Sequence, residues 1–156
     1  MSLFIAGCNP FAPVEDFSDI GNDSPISDQS TIEGVFQNMK YAYTFKDTLI
    51  YGKIMSDDFV FTYRDYDAGY DVSWGRNEEM RITHTLFKNC ERLDLIWNNV
   101  VLSSGDSVSY TQIRSFNLLI TFNPSDIVRI DGRVNLNFVK KNNEWKISRW
   151  LDESNF

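Results

Sequence analysis

The sequence predicts an α+β fold in which three N-terminal helices pack inside a strongly curved, mixed or antiparallel sheet. Three observations predict it. The run Ile127 to Val139 alternates, with Ile130, Val134, Leu136 and Phe138 on one side and Arg129, Asp131, Arg133, Asn135 and Asn137 on the other. That period of two marks a half-buried antiparallel strand. Near the start, Ile32, Val35, Phe36, Met39 and Tyr43 recur at helical spacing. Between these ends lie long apolar runs separated only by short turn signals, Gly105-Asp106 and Asn123-Pro124-Ser125-Asp126.

The totals fit one domain. A chain of 156 residues, 42% hydrophobic and 15% aromatic, can fill a sizeable core. Two cysteines are too few for a disulfide framework. With 15 basic against 22 acidic residues the net charge is −7, and no basic block occurs. A surface that tracks phosphate backbones needs clustered Lys and Arg, so nucleic acid is an unsuitable partner. No apolar run reaches the length of about 18 residues that a spanning helix needs.

Taken in order, the chain opens with Ile5-Ala6-Gly7-Cys8, which resembles the lipobox of bacterial lipoproteins. There the cysteine becomes lipid-modified and N-terminal, so Cys8 is the expected lipid attachment. Residues 1–8 then read as the remnant of a signal peptide. They depart from that pattern in having no basic segment and only a short apolar one, as in a truncated chain or one started too far downstream. Residues 9–27, with Pro10, Pro13 and Pro25 among acids, read as a flexible tether. Its r.m.s. reach is about 25 Å. The implied location is the bacterial cell envelope, at the outer membrane or the periplasmic face of a membrane, held by the lipid alone. Residues 28–156 are the folded domain.

Within that domain Ser30-Thr31-Ile32-Glu33 has the form of a capping box and opens the first helix, which runs to about Phe45. A shorter helix follows around Leu49 to Ile54. Phe59 to Tyr63 is a first strand, and a short strand fits Tyr70 to Trp74. A third helix spans about Asn77 to Cys90, with Glu78 and Glu79 at the positive end of its dipole. Its apolar arc is Ile82, Leu86 and Cys90, flanked by Met80, Thr83 and Phe87. Strands follow at about 92–102, 108–122, 127–139 and 145–152. Gly132 inside its strand predicts a bulge.

This order of helices, then long strands ending in Trp145-Lys146-Ile147-x-x-Trp150-x-Asp152, resembles the NTF2-like superfamily. That is the cone fold of SnoaL-like cyclases, scytalone dehydratase and ketosteroid isomerase. Asp58-Phe59-Val60-Phe61, Ser73-Trp74-Gly75-Arg76-Asn77-Glu78-Glu79 and Glu144-Trp145-Lys146-Ile147 carry the likeness, which covers about residues 28–152. The resemblance implies a pocket in the mouth of the cone; the fold alone does not decide a function.

Alternation selects the groups facing that pocket. Tyr110, Gln112 and Arg114 share a side with Phe116, Leu118, Ile120 and Phe122. Trp97 sides with Leu93 and Leu95, and Arg149 with Trp145, Ile147 and Leu151. Tyr43 would reach in from the first helix. The candidate pocket is therefore Tyr43, Trp97, Gln112, Arg114 and Arg149. An inward Arg needs an anion. Either a ligand carboxylate or an internal acid such as Asp58, Asp94 or Asp152 would serve, and a bulge would turn either Arg outward. Isomerase chemistry needs a phenol and a neutral acid as oxyanion hole, plus a carboxylate base. Tyr43 offers the phenol, but the strand positions show no obvious acid. His84, the only histidine, falls at the margin of the third helix's apolar arc, where packing explains it better than catalysis.

No metal spacing, phosphate loop or nucleophile elbow occurs, so no metal or cofactor is expected, and Cys90 reads as a small core residue. The reading favoured by these residues is a non-catalytic module that binds a small apolar or anionic ligand or a protein. The alternative is an isomerase, cyclase or dehydratase acting on an apolar ring-bearing substrate. A purely structural subunit is the third. Ile96, Val100, Leu102, Ile113, Leu119 and Trp150 are assigned to the outer sheet face, where they would support a homodimer.

Overall fold

The computed structural model describes residues 26–154. Cys8 and tether residues 9–25 lie outside the described residues. The elements are α1 (Ile32–Phe45), α2 (Thr48–Lys53), β1 (Met55–Asp65), β2 (Tyr70–Gly75), α3 (Arg76–Asn89), β3 (Arg92–Gly105), β4 (Ser109–Asn123), β5 (Asp126–Lys141) and β6 (Glu144–Ser154). All strands join one curved sheet in the order β2-β1-β6-β5-β4-β3. It is mixed, because β1 runs parallel to β6 while every other neighbouring pair is antiparallel. Among the described residues no helix is long and apolar enough to cross a membrane.

Local chemistry starts and stops the helices. Thr31, in an extended conformation, accepts the Gly34 N–H at 3.0 Å and caps α1. The cap therefore sits one residue beyond the Ser30 start that the capping box predicted. Ser30 instead directs its N–H and hydroxyl to Asp28, and Glu33 is left free to reach Arg114. Gly34 is fixed by contact: a Cβ there would lie 1.8 Å from the Asp28 carbonyl oxygen. Lys46 closes the helix in the left-handed region at φ 56°. Asp47 then caps α2 through the Leu49 and Ile50 N–H groups, both at 3.0 Å.

The concave face of the sheet packs on α1 and α3. Val35, Phe36, Met39 and Ala42 meet Leu93, Leu136, Phe138 and Ile147 in one buried cluster. Each such side chain contributes about 1.5–3 kcal/mol when fully buried. On β5 the alternation holds throughout, with Val134, Leu136 and Phe138 buried.

Two expectations about the strands need correction. Gly132 is not a bulge, for its pairing with Phe116 and Ser154 is regular. It is glycine because a Cβ would come within 2.5 Å of the Ser154 Cα. A bulge lies instead on β6, where Asn137 faces Arg149 but Phe138 faces Ile147, so that Ser148 is the extra residue, and the register shifts on β3 as well, between Trp97 and Val100 and between Val100 and Leu102. Beyond Ser148 every side chain changes face. Trp150, expected outside, is buried, and Arg149, expected inside, is exposed.

Candidate functional site

Between the concave sheet, α1 and α3 lies a cavity of about 370 Å³. Aromatic rings form much of its wall. On one side Trp74 stacks on Phe61, with centroids 4.6 Å apart and planes at 17°, and Trp150 meets the same Phe61 at 5.4 Å. On the other, Trp97 stands against Phe116 at 6.1 Å. Trp97 is held in place by an N–H bond to the Phe36 carbonyl at 2.9 Å. A volume above 300 Å³ is within the range of small-ligand sites.

The polar groups of the lining are few. Glu79, buried on α3, accepts hydrogen bonds from the Tyr51 hydroxyl at 2.6 Å, the Trp74 indole N–H at 2.6 Å and the Thr83 hydroxyl at 3.2 Å. It thereby ties α2, β2 and α3 together. Asp152, at the end of β6, has a different situation. The hydrogen bonds to its carboxyl come from its near neighbour Ser154, through the N–H at 3.1 Å and the hydroxyl at 2.8 Å. Burial raises its pKa above the ordinary carboxylate value, and the nearby charges of Glu153 and Glu79 push the same way, against those two bonds. Tyr43, from α1, feels the charge of both acids. Burial above all, then Glu79 and Asp152, raise its phenol well beyond the usual tyrosine range. It stays protonated and can only donate or accept as a neutral hydroxyl.

Among the described residues no Lys, Arg or His lines this cavity. Among the described residues no group of three His, Cys, Asp or Glu side chains converges as a metal site. A protonatable carboxyl and a neutral phenol against an aromatic wall can donate to, or take a proton from, a largely neutral ligand.

The structure brings together only part of the set read from the sequence. Tyr43 and Trp97 line the cavity. Gln112 is buried outside the lining. Arg114 also lies outside it: Nη1 bonds Glu33 at 2.7 Å, Nε bonds the Asn98 carbonyl at 3.2 Å, and the guanidinium sits 4.8 Å over the Phe36 ring. An internal acid thus satisfies Arg114, and that acid is Glu33 rather than Asp58, Asp94 or Asp152. Arg149 is turned to solvent by the Ser148 bulge. With both arginines elsewhere, the lining offers a ligand anion no cation. His84 is exposed.

The groups that sequence reading missed are Glu79 and Asp152, together with Trp74 and Trp150. Glu79 carried a signal, since it stands four and eight residues before Thr83 and Phe87 on the buried arc of α3. For Asp152 the signal was Trp145 and Trp150, an odd number apart, both large enough to demand burial.

This architecture has known counterparts. No family model matches the sequence, and no curated protein matches it. Solved structures do share the fold. One is a provisionally assigned dehydratase of the NTF2-like family from Streptomyces avermitilis, 15% identical with a TM-score of 0.62, covering 79% of this chain and 92% of that one. A protein of unknown function with a cystatin-like fold, from Nostoc punctiforme, is 15% identical at TM-score 0.62, covering 80% and 88%. A type 2 hexachlorocyclohexane dehydrochlorinase is 12% identical at TM-score 0.63, covering 80% and 83%. The chain has the NTF2-like, cystatin-like cone fold, and at these identities the likeness extends to the fold alone.

Proposed function

We propose that the cone is the site of a proton-transferring enzyme of the isomerase, cyclase or dehydratase kind, acting on an apolar, ring-bearing and largely uncharged substrate. The observation that supports this reading best is Asp152: a half-buried carboxyl with raised pKa, bonded by its own strand neighbour, at an aromatic cavity that holds no cation. In this reading Asp152 takes and returns the proton, and the Tyr43 hydroxyl steadies the oxygen on which charge develops. Glu79 is a positioning residue, because its oxygens are occupied by Tyr51, Thr83 and Trp74. The names of similarly folded proteins, a dehydratase and a dehydrochlorinase, belong to chemistry of the same broad kind.

The test uses 2-tetralone in heavy water, with exchange of its C1 protons followed by NMR. The chain should speed exchange over buffer, and Asp152→Asn should remove about 10²–10⁴-fold of that acceleration. Binding without any acceleration would replace this reading with that of a non-catalytic binding module. Such a module is favoured by one observation, that the better-buried acid, Glu79, has its oxygens already engaged.

The envelope reading and the dimer reading are part of the proposal. Ile5-Ala6-Gly7-Cys8 supports a lipid anchor, for which fatty-acid labelling of the full-length precursor in a bacterial host should be lost in Cys8→Ala. With Trp150 withdrawn to the inner face, and Val100 carried to the side of Arg114 by the register shifts on β3, Ile96, Leu102, Ile113 and Leu119 remain to support a homodimer through β3 and β4. Ile96 and Leu102 are 53% and 50% exposed. Sedimentation of Ile96→Lys against the unaltered chain decides it, since a dimer built on this face would dissociate.

A further inference from the structure

A second cleft, of about 490 Å³, lies between α2, the start of β1, the first turn of α3 and the β5–β6 turn. It shares no lining residue with the aromatic cavity. The third helix divides the two, with Glu79 turned to one and Met80 to the other. The charge of this cleft opposes that of the chain. Lys53, Arg76, Lys141 and Lys146 line it against one acid, Asp57, whereas the sequence as a whole carries 22 acids to 15 bases.

These cations are weakly engaged. Lys141 stands 3.7 Å from Asp58 and Lys146 3.8 Å from Glu144, and both acids are largely exposed. Exposed pairs at such distances contribute little. Lys146 also donates to the Lys53 carbonyl at 2.8 Å. Arg76 is the least satisfied. Its Nη2 donates to the Gly52 carbonyl at 2.9 Å, and its Nε is buried with no acceptor. Among the described residues no salt bridge is formed by this guanidinium. A guanidinium N–H stripped of water and left without an acceptor is unfavourable. Arg76 is also the first residue of α3, whose cap Gly75 supplies no side-chain acceptor, while Glu78 and Glu79 in the same turn offset the positive end of the helix.

We infer that this cleft binds the phosphate group of a small phosphorylated ligand. Arg76 offers the planar fork that phosphate oxygens fit, and the lysines supply further charge for a dianion. Leu49, 78% exposed, and Met80 give the body of the ligand an apolar wall.

Titration of the full chain with phenyl phosphate, at constant ionic strength and followed by amide NMR shifts, tests this. Saturable binding is expected, with the largest shifts at Gly52, Arg76 and Asn142, and with benzoate clearly weaker. Arg76→Gln should weaken binding about tenfold or more, Arg76→Lys should restore part of it, and Lys88→Gln, an exposed cation elsewhere on α3, should change nothing. Should Arg76→Gln fail to fold, Lys141→Gln alters a side chain that is 51% exposed and should still weaken binding severalfold. No saturable binding, equal binding of benzoate, shifts confined to the aromatic cavity, or an equal effect of Lys88→Gln would each overturn the inference.

Discussion

Asp152 and Glu79 show how two carboxyls a few side chains apart acquire different roles from their hydrogen bonds. Glu79 has three donors from three elements. Glu79→Gln keeps the shape but turns an N–H₂ toward one of those donors, and leaving it unsatisfied should cost about 1–3 kcal/mol in urea unfolding. Asp152 should behave in the opposite sense. Its pKa is raised on folding, so its contribution is favourable below the unfolded carboxylate pKa and is lost as pH rises through the raised folded value. Asp152→Asn removes that loss. The Tm of the variant, relative to the unaltered chain, should therefore climb as pH is raised from acid to neutral, while proton transfer slows. A gap in Tm that shrinks over the same range would mean that the carboxyl is not held in an unfavourable charged state. Should proton transfer rest on the ionised carboxyl, its acid limb will stand above the usual carboxylate range.

At the scale of elements, the fold was legible wherever an element ran without interruption. The alternation of β4 and β5 placed Phe116, Leu118, Val134, Leu136 and Phe138 on the inner face, where they are buried. The helical spacing of α1 brought Tyr43 to the cavity, and the start of β3 brought Trp97. The site was illegible where one residue broke the period. A single extra residue, Ser148, exchanges Arg149 for Trp150 and brings Asp152 inward, and only the odd spacing of Trp145 and Trp150 announces it. Glu79 was hidden differently, because an acid in the first turn of a helix already has a sufficient reason to be there. Gly132 misled in the other direction: glycine in a strand signals either a bulge or a close approach, and here the Ser154 backbone is the cause. Gly132→Ala should then cost about 1–3 kcal/mol through overpacking, read in urea unfolding. The added methyl presses on Ser154, next to the Asp152 turn, so binding in the cavity should weaken as well. A stable variant with unchanged binding would show that the end of β6 gives way freely.

For the whole molecule, the cavity sets stability against function. A void of about 370 Å³ inside a cone of this size is larger than close packing requires. Its apolar lining forgoes contacts that a filled core would make. The rest of the core is closed, with Phe36, Met39, Ile54, Leu136 and Ile147 almost wholly buried, so the opening is local to one end and not a general looseness. Filling it should therefore stabilise the fold and cost binding. Leu95 is the position to choose: it is 4% exposed, lines the void and pairs across the sheet with Leu118, which lines it too. Leu95→Phe adds volume into the cavity, and should raise stability by about 0.5–2 kcal/mol while weakening 2-tetralone binding by tenfold or more. The phosphate cleft on the far side of α3 shares no residue with this lining, so phenyl phosphate affinity should stay as it was. Loss of stability would mean that the void is smaller in solution than its walls imply. Gain of stability with unaltered 2-tetralone binding would place the ligand elsewhere, and would remove the ground for assigning Asp152 its role.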